Sequence, residues 1–333
     1  MGNVNIKKLA LELNLSAATV SRALRDSYEI SAETKQKVLA MAKKLNYEPN
    51  PSASNLRSNK SKTIAVIIPE VANNFFSQAI NGIEEIARTR DYHVLIYQTH
   101  EKSETEIAFM QKLLSGRVDG ILISISNETT NNQQFKEIIK NLPVVFFDRI
   151  YEDIDAAKIT TDDYESAYNA TQHLIDSGCK KIAYLSALYN ILTGKKRIEG
   201  YLDALKDNNI PYCEDLFIES GNDEQENLKQ IENVLIMQKP DGIIASIEEL
   251  ALPCYYACKQ LKLNIPADVK IISFSNLKTA ALLNPSLTTI TQPAFEIGKA
   301  AASIMFKILD KKYFEPHETL VLKSTLIKRE STG

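Results

Sequence analysis

The chain has 333 residues, 44% hydrophobic and 24% charged, with a formal net charge of −3. This is globular composition with room for two or three domains, and it excludes a disordered or collagen-like chain. The charge is unevenly divided: residues 1–62 carry eleven Lys and Arg against five Asp and Glu, the remainder 28 against 37, so only a basic head suits a polyanion.

The first residues, MGNVNIKKLALELN, hold no apolar signal core, and no apolar run in the chain approaches the roughly 20 residues of a membrane span. The expectation is a cytoplasmic protein with no membrane partner. Within NIKKLALELN, Ile6, Leu9, Ala10 and Leu13 form one stripe of a short amphipathic helix. Asn14 follows where the chain turns sharply, and asparagine tolerates the left-handed conformation. A second helix opens in LSAATVSRALRD, with Ser16 as N-cap and Val20 and Leu24 on its inner face. Its other face carries Ala17, Ala18, Thr19, Ser21, Arg22 and Arg25. Two short helices across a tight turn read as a helix-turn-helix. A third begins near Ser31, with Val38, Leu39, Ala42 and Leu45 expected inward, and stops before Pro49.

In such a motif the second helix enters the DNA major groove, and small residues at its tip permit close approach. An alanine methyl suits a thymine methyl, and Arg22 suits guanine N7 and O6. Thr19, Ser21, Ser31 and Thr34 are candidates for phosphate contacts, which position without specifying. Residues 50–62, NPSASNLRSNKSK, are small and polar and read as a linker. Leu56 is out of place in that company.

From residue 63, short apolar runs (TIAVIIP, HVLIY, DGILIS, PVVFF) alternate with helical stretches over about Phe75–Arg90, Glu104–Leu114 and around Phe135, and the alternation restarts at KKIAYLS. That pattern means parallel sheets with helices on both faces. RVDGILISI at Arg117–Ile125 returns in kind as KPDGIIASI at Lys239–Ile247. The expected body is therefore α/β: two doubly wound parallel-sheet lobes with a cleft between them, ligands lying beyond the carboxyl ends of the strands. Candidates at those ends are Asn73, Phe75, Phe76, Asp148, Arg149 and Asp162. Structural roles compete: Asp148 and Arg149 as an ion pair, Asp162 as a helix cap.

No G-x-G-x-x-G, P-loop or G-x-S-x-G elbow occurs, and His93, His100, His173 and His317 are scattered. An enzyme is not expected, nor a cofactor or a metal. Cys179, Cys213, Cys254 and Cys258 form no Cys-x-x-Cys pair and read as packing or half-exposed thiols.

The head resembles the lactose/galactose repressor (LacI/GalR) family of transcription regulators, through ATVSR at Ala18–Arg22 and the closing LNYEPN. The body resembles the periplasmic sugar-binding-protein fold of that family, through IAVIIPEVANNFFSQAINGIEEIA, GRVDGILI, PVVFFDR, RIEGYLDAL and LLNPSLTTITQPAFEIGKAAA. The resemblance implies a helix-turn-helix domain at 1–49, a hinge at 50–62 and an effector-binding and dimerisation domain at 63–333. Lobe one would be about 63–160 and 291–317, lobe two about 161–290 and 318–330. It implies base reading by Ala17, Ala18 and Arg22, and a hinge running from Asn50 whose Leu56 wedges into the minor groove beside Arg57. Asn73, Phe75, Phe76, Arg197 and Gln292 would line the effector cleft, with Glu248 and Ser275 at two further cleft positions. Dimer contacts would come from the first body helix, Ala251–Lys259 and Thr279–Leu283.

The implied function is a sequence-specific DNA-binding regulator, a repressor acting as a homodimer on a pseudo-palindromic operator. A small carbohydrate or carbohydrate derivative would control its DNA affinity. The alternatives are a regulator needing a co-repressor or protein partner, an activator, or a binding protein without DNA. Several positions depart from the family pattern: Lys8 for Asp, Ser54 for Arg, Asn74 for Pro, Ile247-Glu248 for an Asn-Asp pair, and Ser275 for Asp. The last two remove groups that ordinarily hold sugar hydroxyls.

Overall fold

The computed structural model describes residues 5–24, 26–47, 60–128, 133–221, 223–310 and 319–333. The chain divides into two compact units, Met1–Ser61 and Lys62–Gly333.

In the first unit α1 (Ile6–Glu12), α2 (Ala17–Leu24) and α3 (Ala32–Lys44) surround a small core of Leu9, Ala10, Val20, Ala23, Val38 and Ala42. Each helix starts on a side-chain cap. Asn5 Oδ1 accepts from the Lys8 amide at 3.0 Å, Ser16 Oγ from the Thr19 amide at 3.0 Å, and Ser31 Oγ from the Thr34 amide at 3.3 Å. Asn14 makes the sharp turn at φ 54°. Leu39 corrects one expectation: it is 55% exposed, because Val38, Met41, Ala42 and Leu45 already form the inward stripe and Leu39 lies on the helix flank.

The second unit runs β1 (Thr63–Ile68), α4 (Asn74–Thr89), β2 (His93–Gln98), α5 (Ser103–Leu113), β3 (Gly120–Ile123), α6 (Gln133–Ile138), β4 (Val144–Phe147) and β5 (Ala157–Thr161). It then crosses into α7 (Asp163–Asp176), β6 (Ile182–Ser186), α8 (Leu192–Asp207), β7 (Phe217–Glu219), α9 (Glu224–Met237), β8 (Gly242–Ala245), α10 (Ala251–Leu261), β9 (Lys270–Phe274) and β10 (Thr288–Thr291). It returns through α11 (Ala294–Leu309) and ends in β11 (Thr319–Leu322) and β12 (Thr325–Ile327).

These strands make two six-stranded sheets, β11-β5-β4-β3-β1-β2 and β12-β10-β9-β8-β6-β7. Every pair is parallel except β10 with β12. The central strands β1, β3, β4, β6, β8 and β9 are nearly continuous buried runs because helices cover both faces of each sheet, while the edge strands β2, β11 and β12 are partly exposed. The two similar segments, β3 and β8, occupy matching places in the two sheets. Asp119, just before β3, accepts from the Lys62 amide at 3.1 Å, as Asp241, before β8, accepts from the Lys181 amide at 2.8 Å.

One boundary is corrected. The segment 318–330 does not belong wholly to lobe two: β11 pairs with β5 at the edge of the first sheet, Thr319 opposite Lys158, and only β12 joins the second. The edge of β5 offers a free parallel ladder before the chain reaches the other lobe. The chain thus passes between lobes at 161–163, 291–294 and 322–325.

Candidate functional site

On the head, Ala17, Ala18 and Arg22 are exposed and Thr19, Ser21 and Thr34 half-buried, with Ser31 exposed. The caps that start α2 and α3 also join hydroxyls: Ser16 to Thr19 at 2.8 Å and Ser31 to Thr34 at 2.9 Å. Each such bond uses one hydroxyl proton and leaves the other for an outside acceptor. Arg22 meets Glu29 at 3.3 Å with both side chains about half exposed. A pair so wet is worth about 0–1 kcal/mol, so a nucleic acid can take the guanidinium at little cost. Tyr28 is 94% exposed in the turn between α2 and α3, a feature without periodicity to announce it. Asn50, Leu56 and Arg57 lie outside the described residues, as does the hinge over 50–59.

In the body, nine of the ten effector candidates converge. Asn73, Phe75, Phe76, Asp148, Arg149, Arg197, Glu248, Ser275 and Gln292 line one cleft between the lobes, with Leu188, Ile247, Phe274 and Asn276. Asn73 caps α4, its Oδ1 accepting from the Phe75 amide at 2.8 Å. That cap brings Phe75 and Phe76 to the cleft wall, edge to face with centroids 5.3 Å apart. Arg197 is 2% exposed and lies over the Phe274 ring at 3.9 Å. Its Nε donates to Asp163 Oδ1 at 2.8 Å and its Nη1 to the Ser246 carbonyl at 2.6 Å. Arg149 donates to both oxygens of Glu101, at 2.7 and 3.0 Å, and stands over Phe76.

Asp148, in left-handed backbone at φ 61°, turns its carboxyl toward Ser124 Oγ at 3.3 Å and Gln292 Nε2 at 3.5 Å. Burial pushes the Asp148 carboxyl above the ordinary carboxylate range, against the pull of Arg149 and Arg197. Asp163 is raised to about 6 for the same first reason, with Arg197 opposing. Burial works against the Arg149 charge, but Glu101 and Asp148 outweigh it and its pKa rises.

Asp162 stands apart from this cleft. Its Oδ1 accepts from the Ser324 amide at 2.7 Å and from Ser166 Oγ at 3.0 Å. It therefore staples the first interlobe crossing to the third, while Gln292 Nε2 ties the second to the first through Thr161 Oγ1 at 3.1 Å. Asp162 also faces a separate recess of about 750 Å³ on the flank beside β5 and β11, where carboxylates such as Glu152 and Asp155 mix with Lys158, Lys196 and apolar and hydroxyl side chains, and neither arginine of the cleft lines it.

Among the described residues, hydrogen bonds join the opposing lobes across the cleft. Asn73 Nδ2 donates to Glu249 Oε1 at 2.6 Å and Asn74 Nδ2 to Glu248 Oε1 at 2.5 Å. Gln78 Nε2 donates to the Asn276 carbonyl at 3.2 Å, Asn127 Nδ2 to the Ala187 carbonyl at 2.9 Å, and Thr193 Oγ1 to the Asp148 carbonyl at 3.3 Å. The space left in the cleft is about 40 Å³, room for a few waters and far below the roughly 300–1,000 Å³ of ordinary ligand pockets.

Residues 5–50 match the family model of bacterial regulatory proteins of the lacI family. Residues 61–331 match that of periplasmic binding proteins and the sugar binding domain of the LacI family. The chain belongs to the LacI family of bacterial regulatory proteins. It is 31% identical to catabolite control protein A of Priestia megaterium over 93% of this chain and 94% of that one. It is 30% identical to the HTH-type transcriptional repressor PurR of Vibrio vulnificus, over 97% and 98%. Its fold is that of the lac repressor dimer bound to operator and the anti-inducer ONPF, with TM-score 0.88 at 22% identity over 99% of both chains.

This LacI-family chain is thus a DNA-binding transcription regulator and not an enzyme. Among the described residues no helix is long and apolar enough to cross a membrane. The cysteines pack: Cys179, Cys254 and Cys258 are buried and Cys213 half-buried. Glu101, the partner of Arg149, follows β2 with no periodic signal and was missed in the sequence. Asp162 and Asp163 both follow the ITT strand, and only the crossover geometry separates their roles.

Proposed function

We propose that this regulator is a repressor that binds a pseudo-palindromic operator as a dimer, with a sugar or sugar derivative in the interlobe cleft setting its DNA affinity. The names of the relatives support the first part, since one is a transcriptional repressor and a structural neighbour is a dimer on operator. The exposed small tip of α2 supports base reading by Ala17, Ala18 and Arg22, with Thr19, Ser21, Ser31 and Thr34 holding phosphates. Asn50, Leu56 and Arg57 would complete the contact from the hinge. Exposed apolar side chains support pairing of bodies: Leu252 at 41% and Tyr256 at 57% on α10, and Leu282 at 81% in the 3-10 turn after β9. Ala280 in the same stretch is fully buried, so only part of Thr279–Leu283 is available to a partner.

One observation carries the effector reading. Arg197 is buried and oriented by Asp163 and the Ser246 carbonyl, beside Asp148 and Gln292, at the carboxyl ends of both sheets. A planar guanidinium held this way presents its remaining N–H groups in a fixed direction, which suits vicinal hydroxyls. Ligand entry must part the interlobe contacts, and the three crossings let the lobes swing. DNA affinity changes if the two lobe arrangements place the paired heads differently, a population shift set by the ligand's differential affinity.

The test is Arg197→Ala, assayed by operator binding against a panel of sugars and sugar phosphates that alter the parent protein. The variant is expected to bind operator and ignore the ligand. An unchanged ligand response would remove Arg197 from the site.

A further inference from the structure

Glu248, one of the cleft positions that depart from the family pattern, is held by three hydrogen bonds. Glu248 opens a short 3-10 turn, Glu248–Leu250, at the carboxyl end of β8. Its Oε2 accepts from Ser275 Oγ at 2.8 Å and from the Asn276 amide at 2.9 Å, both just beyond β9 in lobe two. Its Oε1 accepts from Asn74 Nδ2 at 2.5 Å, on the first turn of α4 in lobe one. Each of these three donors is set by the fold. Asn74 is fixed by the Asn73 cap. Ser275 Oγ also accepts from the Leu277 amide at 3.0 Å, which turns its proton toward Glu248. Asn276 is held by its Nδ2 donating to the Gln292 carbonyl at 2.8 Å.

Three N–H and O–H donors converging from two lobes on one carboxylate make an oxyanion seat, since donors to an ionised acceptor give the stronger class of hydrogen bond. The side chain that fills the seat is the protein's own.

We propose that Glu248 is an internal ligand of the cleft. Its carboxylate takes the position where a bound molecule's acceptor oxygens would bridge the lobes, and it holds them together through Asn74. Glu249, bonded to Asn73 at the exposed rim, is a second and more solvated strap. The sequence departures at Glu248, Ser275 and Asn74 then have one explanation. Ser275 keeps a hydroxyl donor where an aspartate would repel Glu248, and Asn74 supplies an amide donor that proline lacks. A molecule that enters the cleft at this corner must offer oxyanion or acceptor-rich oxygens to the same three donors and displace Glu248. This last step rests on the cleft being the effector site; the bridging itself does not.

The test is chemical rescue in the full-length protein without DNA or effector. Glu248→Ala removes the side chain beyond Cβ, which acetate matches atom for atom. The variant is expected to show a larger radius of gyration by small-angle scattering and a lower midpoint of thermal unfolding than the parent. Acetate should reverse both, saturably, while acetamide should not. Inorganic phosphate serves as the second arm: reversal by phosphate as well as acetate would mark a general oxyanion seat, and reversal by acetate alone a seat for carboxylates.

A variant as compact and stable as the parent would overturn the proposal, and so would an opening that neither anion reverses. Should Glu248→Ala not fold, Asn74→Ala cuts only the lobe-one end; it is expected to expand the body without rescue, and a compact Asn74→Ala protein would overturn the proposal equally. None of these results depends on the identity of the effector, so the reading of Arg197 stands or falls separately.

Discussion

Two opposing forces act on the Asp163 carboxyl: burial works against its charge, and the Arg197 guanidinium 2.8 Å away works for it. Burial prevails and the group titrates at about 6 instead of near 3.8. Because the folded pKa lies above the unfolded one, the folded protein holds this proton more tightly. The contribution to stability is present below the unfolded pKa and is lost as pH rises through about 6. A carboxyl-resolved NMR titration is expected to show the midpoint near 6, absent in Asp163→Asn; a midpoint near 3.8 would contradict the burial argument. At this scale the sequence was readable where residue type and chain position suffice. Asp148 and Arg149 sit at the strand end that predicts them, while Arg197 on its helix and Gln292 were legible through the family resemblance. The separate roles of Asp162 and Asp163 were not readable, because one proton acceptor turns toward the third crossing and the next residue toward Arg197. The bond from Asn74 to Glu248 spans 174 residues and leaves no local periodic trace.

Among elements, the contact of α4 with α11 depends on reciprocal glycines. A methyl at Gly298 would overlap the Ala79 carbonyl oxygen, and one at Gly82 the Phe295 carbonyl oxygen. Gly298→Ala is therefore expected to destabilise the body by about 1–3 kcal/mol, as overpacking does. Denaturant titration checks this, and a neutral result would mean the helices separate without strain. In the head, Leu9 is fully buried in a core of few residues. Leu9→Ala is expected to cost about 2–5 kcal/mol, enough to unfold a unit this small and abolish operator binding while the body melts as before. Loss of the body transition too would contradict separate folding of the units. Helix and strand spans were legible because the 3.6-residue periodicity, the continuous apolar runs and helix starts such as Ser16 and Ser31 are local. Leu39 was misplaced because a helix of this size buries only one narrow stripe. The split of β11 from β12 was hidden because a short strand's choice of sheet edge depends on which ladder lies open.

For the whole molecule, the surplus of positive charge in residues 1–62 against the negative remainder predicts how the protein meets DNA. Neutralising phosphates releases counterions, so log affinity should fall with log salt by about 0.9 per phosphate contacted. A flat salt response would contradict binding through the basic head. Leu282→Glu, which places a charge on an 81% exposed leucine, is expected to shift the protein toward monomer in sedimentation and to weaken operator binding with it. An unshifted dimer would move the interface elsewhere. The central claim, a dimer whose paired α2 helices read a specific site, is tested most directly by selecting binding sites from a random duplex pool with the effector-free protein. An enriched inverted repeat whose half-sites lie on one face of the duplex is expected; folded, dimeric protein that enriches no such repeat would contradict paired reading by α2.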